Sequence, residues 1–228
     1  MNLIKMCIIT LFSCTTFLHS AQQPYDALVP LGGNCQLAWQ MYCKGIRKYA
    51  LPFDQTVTPF NGLYDVLKNR FENFFNVDNA ELIQNGTEKY ALEKKYTISF
   101  IHEFEETKDF LTDYPGIKQT YDRRVTRFLK VVEDSKNPLF IRHGINKEQA
   151  IALSALIKNK LVPNKNFLLL ALDTTEEIKE PWNCPNVVNY YLKQAEPYDW
   201  EGDHEAWKDI FIKIGLKLGT KEDSRKEV

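Results

Sequence analysis

The feature that most constrains this chain is a set of apolar runs that do not alternate with polar residues: YDALVPL at 25–31, PLFIRH at 138–143, NFLLLAL at 166–172 and NVVNYYL at 186–192. A strand wetted on one face alternates apolar with polar side chains, whereas a strand covered on both faces has no need to. The runs therefore predict buried strands of a parallel sheet. Helical periodicity fills the intervals, at 34–44, 60–75, about 115–134, 147–160 and 204–217, and two further strands are expected near 88–92 and 96–101. The fold class that follows is α/β, a mainly parallel sheet flanked by helices around a single core. A chain of 228 residues, 44% of them hydrophobic, is enough for one such domain, and no repeat or linker divides it.

The first 21 residues stand apart. MNLIKM carries one lysine, CIITLFSCTTFL is a short apolar stretch, and HSA precedes the polar AQQPYD, the order of a secretory signal peptide cleaved near Ala21. The apolar stretch is too short to span a membrane. The expectation is an exported domain, periplasmic or secreted, over 22–218, with a charged tail at 219–228. LFSC, ending at Cys14, also resembles a lipoprotein cleavage box, so lipid anchoring stays open, as does an uncleaved N-terminus packed on the body.

Without the leader, Cys35, Cys43 and Cys184 remain, an odd set for an oxidising compartment. Cys35 and Cys43 would lie about 12 Å apart along a continuous helix, too far for a disulfide. No C-x-x-C or H-x-x-x-H spacing occurs, so neither a metal nor a cofactor is expected. A net charge of −1 without a block of like charges outside the tail argues against nucleic acid or a polybasic membrane contact. The expected partner is a small molecule, a peptide or a glycan, and oligomeric state stays open.

The stretch LVPLGGNCQLAWQ at 28–40 is where chemistry is expected. If the first apolar run is a strand, Gly32 and Gly33 make a tight strand-to-helix turn, Asn34 can cap, and Cys35 falls in the first helical turn. There the helix dipole and the free backbone N–H groups favour thiolate over thiol and can serve an oxyanion. A buried structural cysteine at the same turn is the alternative.

GGNCQLA, followed by YALPFDQTVTPFNGLYDVLKNRFENFF, FIHEF, YDRRVTRFL and NPLFIRHG, resembles the "putative papain-like cysteine peptidase" family, a domain of unknown function found mainly in bacteria. Its members share a G-x-N-C start, a P-F-D-W segment, an H-D-F triplet, an R-R-containing helix and an L-F-V-R strand. The likeness spans residues 25–144, with a weaker echo in AWKDIF; Gln55 stands where Trp is usual and Glu103 where Asp is usual. The resemblance implies a Cys–His mechanism in which Cys35 attacks an acyl carbon, His102 takes its proton and an acid such as Asp54 holds the imidazole.

Other bases compete. His143 ends a predicted strand, a common site position in α/β proteins, and His204 with Asp203 or Asp199 in DWEGDH resembles the terminal Asp/His block of SGNH-type hydrolases. Asp203 could equally be a helix cap, Asp54 an Asx-turn residue and His102 a structural histidine. Asn34, Arg124 and Arg142 are the candidate substrate-binding residues; Arg142, inside an apolar strand, is expected to meet a carboxylate, either Asp54 or one on a substrate. Tyr190, Tyr191, Trp200 and Trp207 could line a peptide or carbohydrate cleft, or simply pack. Two function classes follow: a thiol hydrolase or acyltransferase acting on a peptide, amide or ester, and a non-catalytic exported domain binding a peptide or glycan.

Overall fold

A computed structural model describes residues 25–86, 88–104, 109–175, 180–195, 197 and 199–224. The expected leader at 1–21 and the end of the tail at 225–228 lie outside the described residues. The chain runs β1 (Ala27–Pro30), α1 (Gln36–Cys43), β2 (Thr56–Val57), α2 (Phe60–Lys68), β3 (Ala80–Asn85), β4 (Glu88–Glu93), β5 (Ile98–Phe100), α3 (Phe110–Asp134), β6 (Pro138–His143), α4 (Lys147–Leu156), β7 (Leu168–Asp173), β8 (Val187–Tyr191) and α5 (His204–Lys213).

The apolar runs become one parallel sheet of order β1-β6-β7-β8. Every residue of β6 is buried, as a central strand covered on both faces must be. Its side chains alternate between two apolar clusters. Phe140 joins Val29 and Leu169 with Leu63, Phe128 and Leu153 of α2, α3 and α4 on one face. Leu139 and Ile141 join Leu170 and Leu172 with Leu37, Met41, Trp207 and Phe211 of α1 and α5 on the other. Fully burying one such side chain contributes about 2 kcal/mol, so the sheet with its two covered faces holds the domain together. The fold is α/β, as the runs predict.

Beside it lies a second sheet, antiparallel, of order β2-β5-β4-β3. Two of its strands were expected; β2 and β3 were not. β3 reads AELIQN and is half wet, too polar to announce itself, and its place depends on the register that pairs Leu82 with Ala91. Ala91, Ile98 and Phe100 point from this sheet into the α3 side of the core.

Helix bounds shift where tertiary packing overrides periodicity. The pattern 60–75 predicts one helix, but α2 stops at Lys68. Arg70, Phe71, Asn73 and Phe75 then take positive φ, and the winding turns bury Phe71, Phe74 and Phe75 against Phe53, Phe100 and Phe128. In α3 the start lies ahead of Pro115, with Asp109 accepting from the Thr112 amide as the cap. No helix among the described residues is long and apolar enough to cross a membrane.

Candidate functional site

The link from β1 to α1 has the turn foreseen for it. Gly32 and Gly33 take φ of 72° and 119°, and a Cβ on Gly33 would sit 2.5 Å from the His143 carbonyl oxygen. The turn is stitched to the sheet end by backbone bonds: Leu31 N to Ile141 O, His143 N to Gly32 O and Thr58 N to Gly33 O. Arg142, buried within β6, donates from Nη1 to Leu31 O at 2.8 Å and from Nη2 to Thr58 O at 2.7 Å. The expected carboxylate partner of Arg142 is therefore replaced by two carbonyls of the loops on either side, and burial lowers its pKa to about 10. Arg142 thus ties the turn ahead of Cys35 and the loop at Thr58 to β6.

Cys35 follows this turn as the N-cap residue of α1, and its carbonyl accepts from Trp39 N to close the first helical turn. Asn34 Oδ1 accepts from the Gln36 amide at 3.1 Å, which holds the turn. Cys35, Cys43 and Cys184 are all unpaired thiols.

An open cavity of about 720 Å³ lies over Cys35, lined by Ala38, Trp39 and Tyr42 of α1, by Arg47, Asp54, Gln55 and His102, and by Trp200 and Lys221. That volume is in the range of small-ligand sites. Cys35, Ala38, Trp39 and Tyr42 are the i, i+3, i+4, i+7 stripe of one helix face, so α1 presents its thiol and an aromatic strip to the same space. Of the four aromatic residues considered from sequence, Trp200 lines the cavity, while Trp207 is buried against Phe211 and the ring of His143.

Trp200 is held there by α1 itself. The fully buried Gln36 and Gln40 donate to the carbonyls of Trp200 at 3.0 Å and Glu201 at 2.7 Å, which brings the Trp200 ring to 5.5 Å from Trp39. The segment 219–224 closes another side, with Gly219 N bonded to Lys44 O and Arg47 N to Ser224 Oγ. From it Lys221 Nζ reaches to 4.8 Å from the Trp39 ring centre.

The three histidine candidates are now in different settings. His102 is exposed on the turn after β5 and lines the cavity with Cys35 and Asp54. The next residue anchors that turn: Glu103 Oε1 accepts from Tyr121 OH at 2.6 Å and from Arg124 Nη1 at 3.2 Å. Arg124 also donates to Gln55 Oε1 at 2.6 Å, so it braces two lining segments from behind without lining the cavity. His204 has both ring nitrogens engaged, Nδ1 with Gln40 and Nε2 with Glu201, and Asp203 caps α5 through the Glu205 and Ala206 amides. His143 is buried; desolvation first, then the neighbouring Arg142 charge, lowers its pKa to about 4.

Asp54 is buried beneath the cavity. Its Oδ2 accepts from Arg47 Nε at 3.0 Å, Arg47 Nη2 at 2.8 Å and Leu51 N at 3.1 Å, while Oδ1 has no hydrogen-bond partner among the described residues. Burial pushes its pKa up and the Arg47 guanidinium pulls against that rise. Sequence reasoning missed Arg47, Trp39, Tyr42 and Lys221. The i, i+4, i+7 spacing of Trp39 and Tyr42 from Cys35 was the available signal; Arg47 and Lys221 had none.

Residues 26–170 match a family model described as "putative papain-like cysteine peptidase". The chain is also 24% identical over 214 residues to an uncharacterized protein of Acanthamoeba polyphaga mimivirus, a match covering 81% of this chain and 96% of that protein. No solved structure matches.

Proposed function

The chain belongs to the "putative papain-like cysteine peptidase" family, and from that premise we propose that it is a thiol hydrolase with Cys35 as nucleophile, His102 as base and Asp54 as the acid that orients the imidazole. The observation that carries this reading is that all three residues line one cavity, with Cys35 at the N-terminal end of α1. The helix end favours a negative sulfur, and the backbone N–H groups at such an end suit the oxyanion of an acyl intermediate.

In the proposed reaction His102 takes the Cys35 proton and the sulfur attacks the acyl carbon of a peptide, amide or ester. The leaving group departs with the proton from His102. Water, deprotonated by the same imidazole, then cleaves the thioester. Asp54 Oδ1, which has no hydrogen-bond partner among the described residues, would accept the imidazole N–H once the ring turns to it, while Arg47 on Oδ2 keeps the carboxylate fixed. The SGNH-type alternative with His204 is less well supported, because both of that ring's nitrogens are engaged away from the cavity lining.

Export belongs to the same reading, and N-terminal sequencing of the expressed protein tests cleavage near Ala21. The catalytic assignment is tested by turnover on a panel of peptides, amides and esters. Replacing Cys35 by Ser should leave the fold intact and slow turnover by orders of magnitude, because an alcohol ionises far less readily than a thiol. Unaltered turnover in Cys35→Ser, or unchanged pH dependence of thiol alkylation in His102→Ala, would leave the non-catalytic binding domain.

A further inference from the structure

Among the described residues, hydrogen-bond donors without partners gather at this cavity. Arg47 gives Nε and Nη2 to Asp54, and its Nη1 has no partner among the described residues. Trp39 Nε1 is buried without one. Lys221 forms no ion pair among the described residues; it lies over the Trp39 ring and beside the Cys43 thiol, which burial pushes up and so keeps neutral. Against these donors stands Asp54 Oδ1, the acceptor already assigned to the imidazole. Arg47 and Asp54 offset each other in charge, whereas Lys221, whose charge acts on the adjacent Glu222, is the lining cation that forms no ion pair among the described residues.

The rest of the wall is flat and apolar. Trp39 is flanked by Tyr42 at 5.8 Å and Trp200 at 5.5 Å between ring centres. Such a surface accepts a planar group by stacking. A cationic ligand would have to displace Lys221 from the Trp39 face it already occupies; an anionic one would meet it. Trp200 and Lys221 also lie outside the segment 26–170 that matches the family, whereas Cys35, Asp54 and His102 lie inside it.

We propose that Lys221, with Arg47 and the Trp39, Tyr42 and Trp200 wall, forms a specificity subsite for a carboxylate attached to a flat or aromatic group, placed next to the acyl carbon that Cys35 attacks. The proposal rests on the thiol hydrolase reading for that last clause alone. In peptide terms the carboxylate is a free C-terminus or an acidic side chain near the scissile bond. The part of the chain outside the family match thus sets the substrate preference of a shared nucleophile.

The test is a binding titration on the Cys35→Ala protein, in which no turnover can occur, so that its outcome is independent of whether Cys35 is catalytic. The probes are N-benzoylglycine, N-benzoylaspartic acid α-amide, the neutral N-benzoylglycinamide and the cationic N-benzoylarginine amide, followed by calorimetry at low and high salt. At least one acid should bind roughly tenfold or more tighter than the neutral amide, since a charge-assisted contact in a partly desolvated site is worth that much. The preference should weaken with salt. Whichever acid wins distinguishes a terminal from a side-chain carboxylate. Lys221→Gln should bring the acids down to the level of the neutral amide, and Lys221→Arg should retain the preference. Equal binding of acid and amide, tightest binding of the cation, no binding of either acid, or a preference that survives Lys221→Gln would each overturn the proposal.

Discussion

Replacing Gly33 by Ala probes the one turn on which the whole site depends. Two costs add. A φ of 119° lies outside the wells open to an L-residue, and holding a side chain there costs about 1–3 kcal/mol. The new Cβ would also lie 2.5 Å from the His143 carbonyl oxygen and 3.2 Å from both its carbonyl carbon and Nδ1. A normal contact is roughly 3.5 Å, so the turn must lift by about 1 Å from the end of β6. The bonds of His143 N to Gly32 O and Thr58 N to Gly33 O stretch with it, at about 1 kcal/mol each. The sum is roughly 3–5 kcal/mol, a large part of the ~5–15 kcal/mol by which domains are stable. It should lower the melting temperature by about 10 °C. Gly144 is the control: it has φ of 66° and nothing within 4 Å of an added Cβ, so Gly144→Ala carries only the conformational cost of about 1–2 kcal/mol. Chemical denaturation of both variants, with the alkylation rate of Cys35 measured in each, separates the contributions. If Gly33→Ala lies within about 1 kcal/mol of Gly144→Ala, the steric argument for how the turn is seated is wrong.

Iodoacetamide at pH 6 should label Cys35 much faster than Cys43, whose thiol burial pushes up; comparable rates by peptide mapping would count against an activated Cys35. Replacing Arg142 by Met removes the donors to Leu31 O and Thr58 O and leaves two carbonyls unmatched. Partly offset by no longer burying a charge, the loss should come to about 3 kcal/mol in denaturant unfolding, and a change below about 1 kcal/mol would show the ties to be incidental. His143 makes stability pH-dependent. Its folded pKa of about 4 lies below its ordinary value of 6.5, so the unfolded chain binds the proton first. Stability is therefore full above pH ~6.5 and falls as the pH drops toward ~4, by about 3 kcal/mol in total. His143→Gln should flatten that part of the profile; an unchanged slope would place the acid sensitivity in other groups.

Where a residue's surroundings follow from its own neighbours in sequence, the sequence could be read directly. Continuous apolar runs demand cover on both faces, and each became a strand of the parallel sheet, with β6 buried throughout. The Gly32, Gly33, Asn34, Cys35 turn is likewise a local matter of φ and capping, as is Asp203 at the head of α5. Partner choice is not local. Nothing near Arg142 in the chain says that it ends on two loop carbonyls instead of a carboxylate, or that Asp54 faces Arg47. The aromatic residues after Lys68 continue a helical period, yet long-range contact with Phe53, Phe100 and Phe128 bends them into turns. The cavity is the extreme case, because Trp39, Asp54, His102, Trp200 and Lys221 meet only after the sheet and α5 are assembled. Periodicity records how deeply a residue is buried; which groups surround it is decided by register and packing between distant segments, and that is where the candidate chemistry of this protein arises.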